Sequence, residues 1–215
     1  MKSSVLSRAM RIGTLLIALA GIIPVLYGQD DLALKKLSQR MSDSCVELVY
    51  RYSYRKSGVN MNGEGQLVAQ GMCWTLKGNG IEMYCDSTAI WVIDPSMKEV
   101  VIEPAVSVSA NEYEVNPAIL LLHMDDMFRL RDTVTSSDGK AMVYILDPVT
   151  KGTLDYLNVE ILKSEPVIRH ATIALKDGDL IKIEVSSMKL TPLRPVGSFR
   201  PQRVFDSSWI VTDLR

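Results

Sequence analysis

The stretch Gly65–Glu103, GQLVAQGMCWTLKGNGIEMYCDSTAIWVIDPSMKEVVIE, decides how the chain folds. It reads as short strands separated by tight turns. Gly78-Asn79-Gly80 closes a hairpin between Met72–Lys77 and Ile81–Cys85, and Asp86-Ser87 turns the chain into Thr88–Ile93. Asp94-Pro95-Ser96 then leads into Lys98–Glu103, with proline pre-set for a turn and Asp94 able to cap it. Connections this short permit only antiparallel neighbours, because parallel pairs need long crossovers. The stretch is therefore an antiparallel meander.

The hairpin at Gly78-Asn79-Gly80 leaves two registers open. A three-residue loop puts Trp74 opposite Tyr84 and Cys73 opposite Cys85, a pair that could form a cross-strand disulfide in an oxidising compartment, with Cys45 left free. A two-residue turn shifts the register and removes that pairing, leaving three thiols.

Upstream, period-two alternation from Cys45 places Val46, Leu48, Tyr50, Tyr52 and Tyr54 on one strand face, with Glu47, Arg51, Ser53 and Arg55 on the other. Val59–Gln70 continues as a second strand, whose Gly63 and Gly65, with Gly71 just beyond, predict bulges or sharp bends. Before these lies an amphipathic helix capped by Asp30 or Asp31 and ending near Ser42, with Leu34, Leu37 and Met41 on its apolar side. Downstream, Asn116-Pro117 starts a short helix whose Ala118–Leu122 run is apolar nearly all round. Alternation returns at Phe128, Leu130 and Val134 and continues through strands near Met142–Leu146, Leu157–Lys163, Val167–Leu175, Leu180–Met188 and Val204–Leu214. The sum is ten or eleven strands and two helices. That is an α+β chain, mainly antiparallel β, forming a sandwich or curved barrel.

Residues 1–28 read as a secretory signal peptide, and 29–215 as one domain. Lys2, Arg8 and Arg11 form a basic start, and Ile12–Leu26 form a 15-residue apolar run. That run is short for a membrane span of about 20 residues. The 215-residue chain carries a formal net charge of −1. Without the three N-terminal cations, 21 basic residues face 25 acidic ones, a balance that excludes nucleic acid as a partner. Three cysteines and two isolated histidines give no zinc spacing, so no metal or cofactor is expected. Asp125-Asp126 beside His123 diverge on a helix, Ser107 and Ser109 sit in no nucleophile elbow, and His170 lies on a strand. No catalytic constellation emerges, and the chain is not expected to be an enzyme.

Gly65-Gln66-Leu67 followed by Trp74, then Asp86-Ser87-Thr88-Ala89-Ile90-Trp91-Val92-Ile93-Asp94-Pro95 with Glu99-Val100, resembles the pattern of the periplasmic lipoprotein carrier LolA and its relatives. The Asn116-Pro117 helix start and the terminal Val211-Thr212-Asp213-Leu214 are similar as well. The resemblance implies a half-open curved β-barrel with helices covering an apolar cavity for acyl chains. It further implies a periplasmic carrier that takes lipidated proteins from an inner-membrane ABC lipoprotein-releasing transporter to an outer-membrane acceptor. One departure stands out: the family arginine after the Gly-x-Leu strand is absent from Val68-Ala69-Gln70-Gly71, which puts that form of lid control in doubt.

On this reading the lining combines Leu48, Tyr50, Tyr52, Trp74, Tyr84 and Trp91 with Leu34, Leu37, Ile119 and Leu122 from the helices. The methionines after residue 28, among them Met61, Met72, Met83, Met124, Met127 and Met142, suit an adaptable lining or an ordinary core. Burial of a methylene is worth about 0.8 kcal/mol, so cargo with some forty of them cannot leave a membrane unaided. No GxxxxGK[ST] loop occurs, so a partner must hydrolyse the ATP. Two other functions fit the same fold: a transporter of free lipid or glycolipid, and a sensing module similar to the envelope-stress regulator RseB. The chain is expected to act as a monomer.

Overall fold

The computed structural model describes residues 27–56, 59–105, 120–122 and 124–215. Helix α1 (Tyr27–Ser42) precedes β1 (Cys45–Lys56), β2 (Val59–Gln70), β3 (Cys73–Gly78), β4 (Ile81–Asp86), β5 (Ala89–Asp94) and β6 (Glu99–Pro104). A single turn, α2 (Met124–Met127), leads to β7 (Phe128–Thr135), β8 (Ala141–Pro148), β9 (Leu154–Leu162), β10 (Ile168–Leu175), β11 (Leu180–Thr191) and β12 (Ile210–Asp213). The Asn116 helix start, His123 and nearly all of the proposed signal peptide lie outside the described residues.

All twelve strands form one long, open, curved sheet in the order β12-β6-β5-β4-β3-β2-β1-β11-β10-β9-β8-β7. Two meanders, β1–β6 and β7–β11, therefore meet where β1 pairs with β11. Every neighbouring pair is antiparallel except β12 and β6, which run parallel. One face carries the main core. Val46 and Leu48 of β1, Leu67 of β2, Trp74 of β3 and Tyr144 and Leu146 of β8 share one apolar cluster with Leu34, Leu37 and Met41 of α1.

The register corrects two expectations. Asn79 (φ 51°) and Gly80 (φ 80°) form a two-residue turn between Gly78 and Ile81, the Asn-Gly arrangement whose twist matches that of the strands. Trp74 consequently faces Cys85, and Cys73 faces Asp86. The possible Cys73–Cys85 bridge does not form: Cys85 is next to Asp86, the residue opposite Cys73, and successive residues of a strand point to opposite faces. Cys85 lies in the main core, whereas Cys45 and Cys73 pack under Phe199 on the other face. Burial raises both the Cys45 and Cys73 thiols above their usual range, so they stay protonated and unreactive. Mass spectrometry of the denatured, unreduced protein should find three alkylatable thiols; one would restore the bridge.

Gly63 and Gly65 are not bulges either. The β1–β2 ladder runs unbroken from Val46–Ala69 to Lys56–Val59. The glycines instead make room for tyrosine rings from the next strand. A Cβ on Gly65 would lie 2.8 Å from the Tyr50 ring, and one on Gly63 would lie 2.6 Å from that of Tyr52. Tyr52 thus crosses β2 and accepts a hydrogen bond from Asn79 Nδ2 at 2.6 Å.

The C-terminal segment after β11 lies over the outer face of the first meander, pinned residue by residue. Gln70 donates to the Arg194 carbonyl at 3.0 Å and accepts from its N–H at 2.6 Å. Phe199, 1% exposed, plugs the space between Cys45 and Cys73. Arg200 Nε donates to Asp86 at 2.6 Å, and Arg203 pairs with Glu82 at 2.7 Å. Phe205 and Trp209, edge to face at 5.2 Å, join a second apolar cluster with Tyr84, Trp91 and Ile93. The chain ends along β6 as a parallel edge strand.

Candidate functional site

A recess of about 710 Å³ lies between α1, α2 and the edge strand β7. Its apolar surface comes from Leu34, Met124, Phe128, Leu130 and Leu146, and its charged and polar surface from Lys35, Gln39, Asp125, Arg129, Arg131 and Asp132. Strand alternation brings this about: Phe128 and Leu130 pair with Pro148 and Leu146, and they point with Leu146 toward the main core. Between Leu130 and Asp132 the register slips by one residue, so no β8 residue stands opposite Arg131 in the ladder. This bulge turns the arginine outward. Its guanidinium reaches Asp147 at 2.9 Å and stands 5.7 Å from the centre of the Tyr156 ring. The floor is continuous with the core, and the charges sit on the rim. A volume of this size accommodates a ligand with an apolar body and a polar end.

The sequence-derived lining divides among several places. Leu34 borders the recess, and Leu37 is wholly buried one turn along. Leu48, Tyr50 and Trp74 are buried in the main core, with Tyr52 and Leu122 half-buried against it. Burial holds the Tyr50 hydroxyl in its neutral form, reinforced by the neighbouring Tyr52. Tyr84 and Trp91 must be removed from a shared lining, because they lie on the outer face with Phe205 and Trp209. The Tyr84 hydroxyl donates to Glu82 at 2.6 Å; burial and that bond together raise its pKa. Ile119 lies outside the described residues. Of the methionines, Met124 lines the recess and Met83 is buried in the core, whereas Met61 and Met72 are exposed.

Sequence reasoning read Phe128 and Leu130 as strand residues without assigning them to a site. The charged rim of Arg129, Arg131 and Asp132 was not singled out. Its only signal was three charges within four residues of an alternating strand, a pattern common on sheet edges.

His170 lies on β10 with Nδ1 2.8 Å from Glu160, which also pairs with Arg169; Arg169 in turn holds Asp138 at 2.8 Å. This is a surface network on the face opposite the core. Among the described residues no group of three or more His, Cys, Asp or Glu side chains is placed to hold a metal. Nor is any described helix long and apolar enough to cross a membrane.

No family model matches the sequence, and no curated protein matches it. Several solved structures are similar. An uncharacterised conserved protein from Thermus thermophilus is 13% identical, with a TM-score of 0.53 across 86% of this chain and 99% of its own. A DUF1329 family protein from Desulfovibrio piger is 12% identical, with a TM-score of 0.47 across 78% and 94% of the two chains. A LolA superfamily protein from Nitrosomonas europaea is 14% identical, with a TM-score of 0.42 across 80% and 97%. At 13% identity the likeness to the Thermus thermophilus protein is one of fold alone.

Proposed function

We propose that this protein is a non-catalytic carrier that binds the acyl chains of a lipidated protein or lipid outside the cytoplasm. The observation that carries the reading is the recess beside β7, whose apolar floor runs into the main core while its charges stay on the rim. An acyl chain gains about 0.8 kcal/mol per methylene when it leaves water for such a surface, and its polar end remains solvated. The N-terminal leader pattern supports export to the periplasm, and the resemblance around Trp74 and Asp94-Pro95 supports the carrier role. Loading is assigned to an inner-membrane ABC transporter and unloading to an outer-membrane acceptor. Leu34, Leu37 and Leu122 contribute the helical side of the site; Leu48, Tyr50, Tyr52 and Trp74 form the deeper wall reached once the helix side yields.

Titration with a fluorescent fatty acid tests this. Binding should be saturable, and Leu130→Glu should weaken it by at least about tenfold, since one apolar side chain in contact is worth about 1.5–3 kcal/mol. Val134→Glu, at an exposed position on the same strand, should leave binding unchanged. Saturable binding that ignores Leu130→Glu would remove the recess from consideration, and no binding at all would remove the carrier. Native mass spectrometry of protein from its host's periplasm then separates lipidated protein from free lipid.

A further inference from the structure

The two ends of the sheet are built differently. Strand β7 ends the sheet with a bulge at Arg131 and charges at Arg129, Arg131 and Asp132, the usual devices that keep an edge from pairing. Strand β12 has neither bulge nor proline. All four of its residues are exposed, and Ile210 (60%), Val211 (47%) and the following Leu214 (58%) present apolar side chains.

Its main chain is poised to pair. Ile210 and Leu214 donate their N–H groups inward, to Lys98 at 2.9 Å and Ile102 at 2.8 Å. Alternation then turns the N–H and C=O groups of Val211 and Asp213 outward, away from β6. Ile210, Thr212 and Leu214 share one face, and Val211 and Asp213 the other.

We infer that β12 pairs antiparallel with the β12 of a second copy of this chain, across a two-fold axis through Thr212. In this register Val211 and Asp213 of one copy exchange main-chain hydrogen bonds with Asp213 and Val211 of the other, about four bonds in all. On the adjoining face Ile210 meets Leu214 twice and Thr212 meets its own mate, which are favourable cross-strand pairs. Moving the axis to Asp213 would set two carboxylates face to face; moving it to Val211 would separate Ile210 from Leu214. The pattern is self-complementary, as a two-fold contact requires. That property selects a second copy over an unrelated strand. The contact falls below the ~1,200 Å² of a standard interface, so the dimer forms as concentration rises. It is independent of the recess, which lies at the other end of the sheet.

Sedimentation velocity of the full chain from about 10 μM to about 1 mM should show a rising weight-average coefficient, spanning the range expected of so small a contact. Val211→Pro removes an outward N–H without touching the β6 ladder and should hold the protein as a monomer throughout. Thr212→Lys places like charges together at the axis and should do the same, which covers the case in which the proline variant misfolds. Thr212→Cys should oxidise to a covalent dimer on a non-reducing gel at least about tenfold faster than Val211→Cys, because only position 212 meets its own mate at the close Cα spacing a disulfide needs. The three native thiols are buried and do not compete. A monomer at every concentration, a dimer insensitive to both Val211→Pro and Thr212→Lys, or equal cross-linking at 211 and 212 would each overturn the inference.

Discussion

Asp86→Ala should destabilise the protein by about 3 kcal/mol, measured by urea unfolding. Asp86 is a carboxylate with 1% exposure that accepts from Thr88 N at 2.9 Å, Thr88 Oγ1 at 2.7 Å, Ala89 N at 2.9 Å and Arg200 Nε at 2.6 Å. Removing one partner of a buried pair costs about 3–5 kcal/mol. The lower end applies, because Arg200 is 56% exposed and regains water when released. The buried Ala89 N–H cannot, and an unsatisfied donor of that kind costs about 1–3 kcal/mol by itself. Burial alone would raise the pKa of Asp86, but the hydrogen bonds from Thr88, Ala89 and Arg200 outweigh it and hold the group at about 2.

The pH dependence follows from that direction. The folded value lies below the ordinary aspartate value of about 3.9, so the stabilisation is complete above that pH and is lost as pH falls toward 2. The gap between wild type and Asp86→Ala should therefore narrow between about pH 4 and pH 2. A gap that stays constant across the window would refute the assignment. Asp138, held low by Arg169, and Asp213, held low by Arg215, lie at the surface and contribute little to the difference.

Gly78→Ala is expected to cost about 3 kcal/mol, at the top of the usual range for overpacking. A Cβ at Gly78 would sit 2.4 Å from the Glu64 carbonyl oxygen and 3.2 Å from the Gly65 Cα. These are main-chain atoms of the neighbouring strand, so no side-chain rotation relieves the clash and β2 must part from β3. For a chain of this length the loss corresponds to a fall of roughly 6–12 °C in Tm. Two controls separate space from backbone conformation. Gly80→Ala meets nothing within 4 Å but holds φ at +80°, and should cost about 1 kcal/mol. Gly152→Ala meets nothing and needs no positive φ, so its Tm should stay unchanged. Equal losses at 78 and 152 would contradict the close approach.

The meanders were legible because short polar turns leave the chain no choice but to double back: Val59–Gln70 and the strands around Asp86 and Asp94 lie where alternation put them. The faces were harder. Met83, Tyr84 and Cys85 are all apolar in sequence, and only the return of Phe205 and Trp209 over the outer surface explains why both sides of β4 are buried. Nothing local to β4 announces a cover supplied more than a hundred residues later. Gly63 and Gly65 were misread for a similar reason. Their cause is a pair of tyrosines on another strand, and a glycine that admits a neighbour's ring looks in sequence like one that bends its own chain. The recess escaped notice because a bulge at Arg131, set by pairing with β8, decides which charges reach its rim.

The β1–β11 junction has a consequence for the order of assembly. Each meander can form from hairpins as soon as its own strands exist. The partner edge of β1 is supplied only when residues 180–191 have been made, since Cys45 pairs with Thr191 and Arg55 with Leu180. Until then β1 presents an unpaired row of amides flanked by Leu48, Tyr50 and Tyr52. Closing so distant a pair carries a large loop entropy and comes late. A nascent chain therefore passes through a state in which an unpaired, partly apolar strand is the one that ends up in the middle of the sheet.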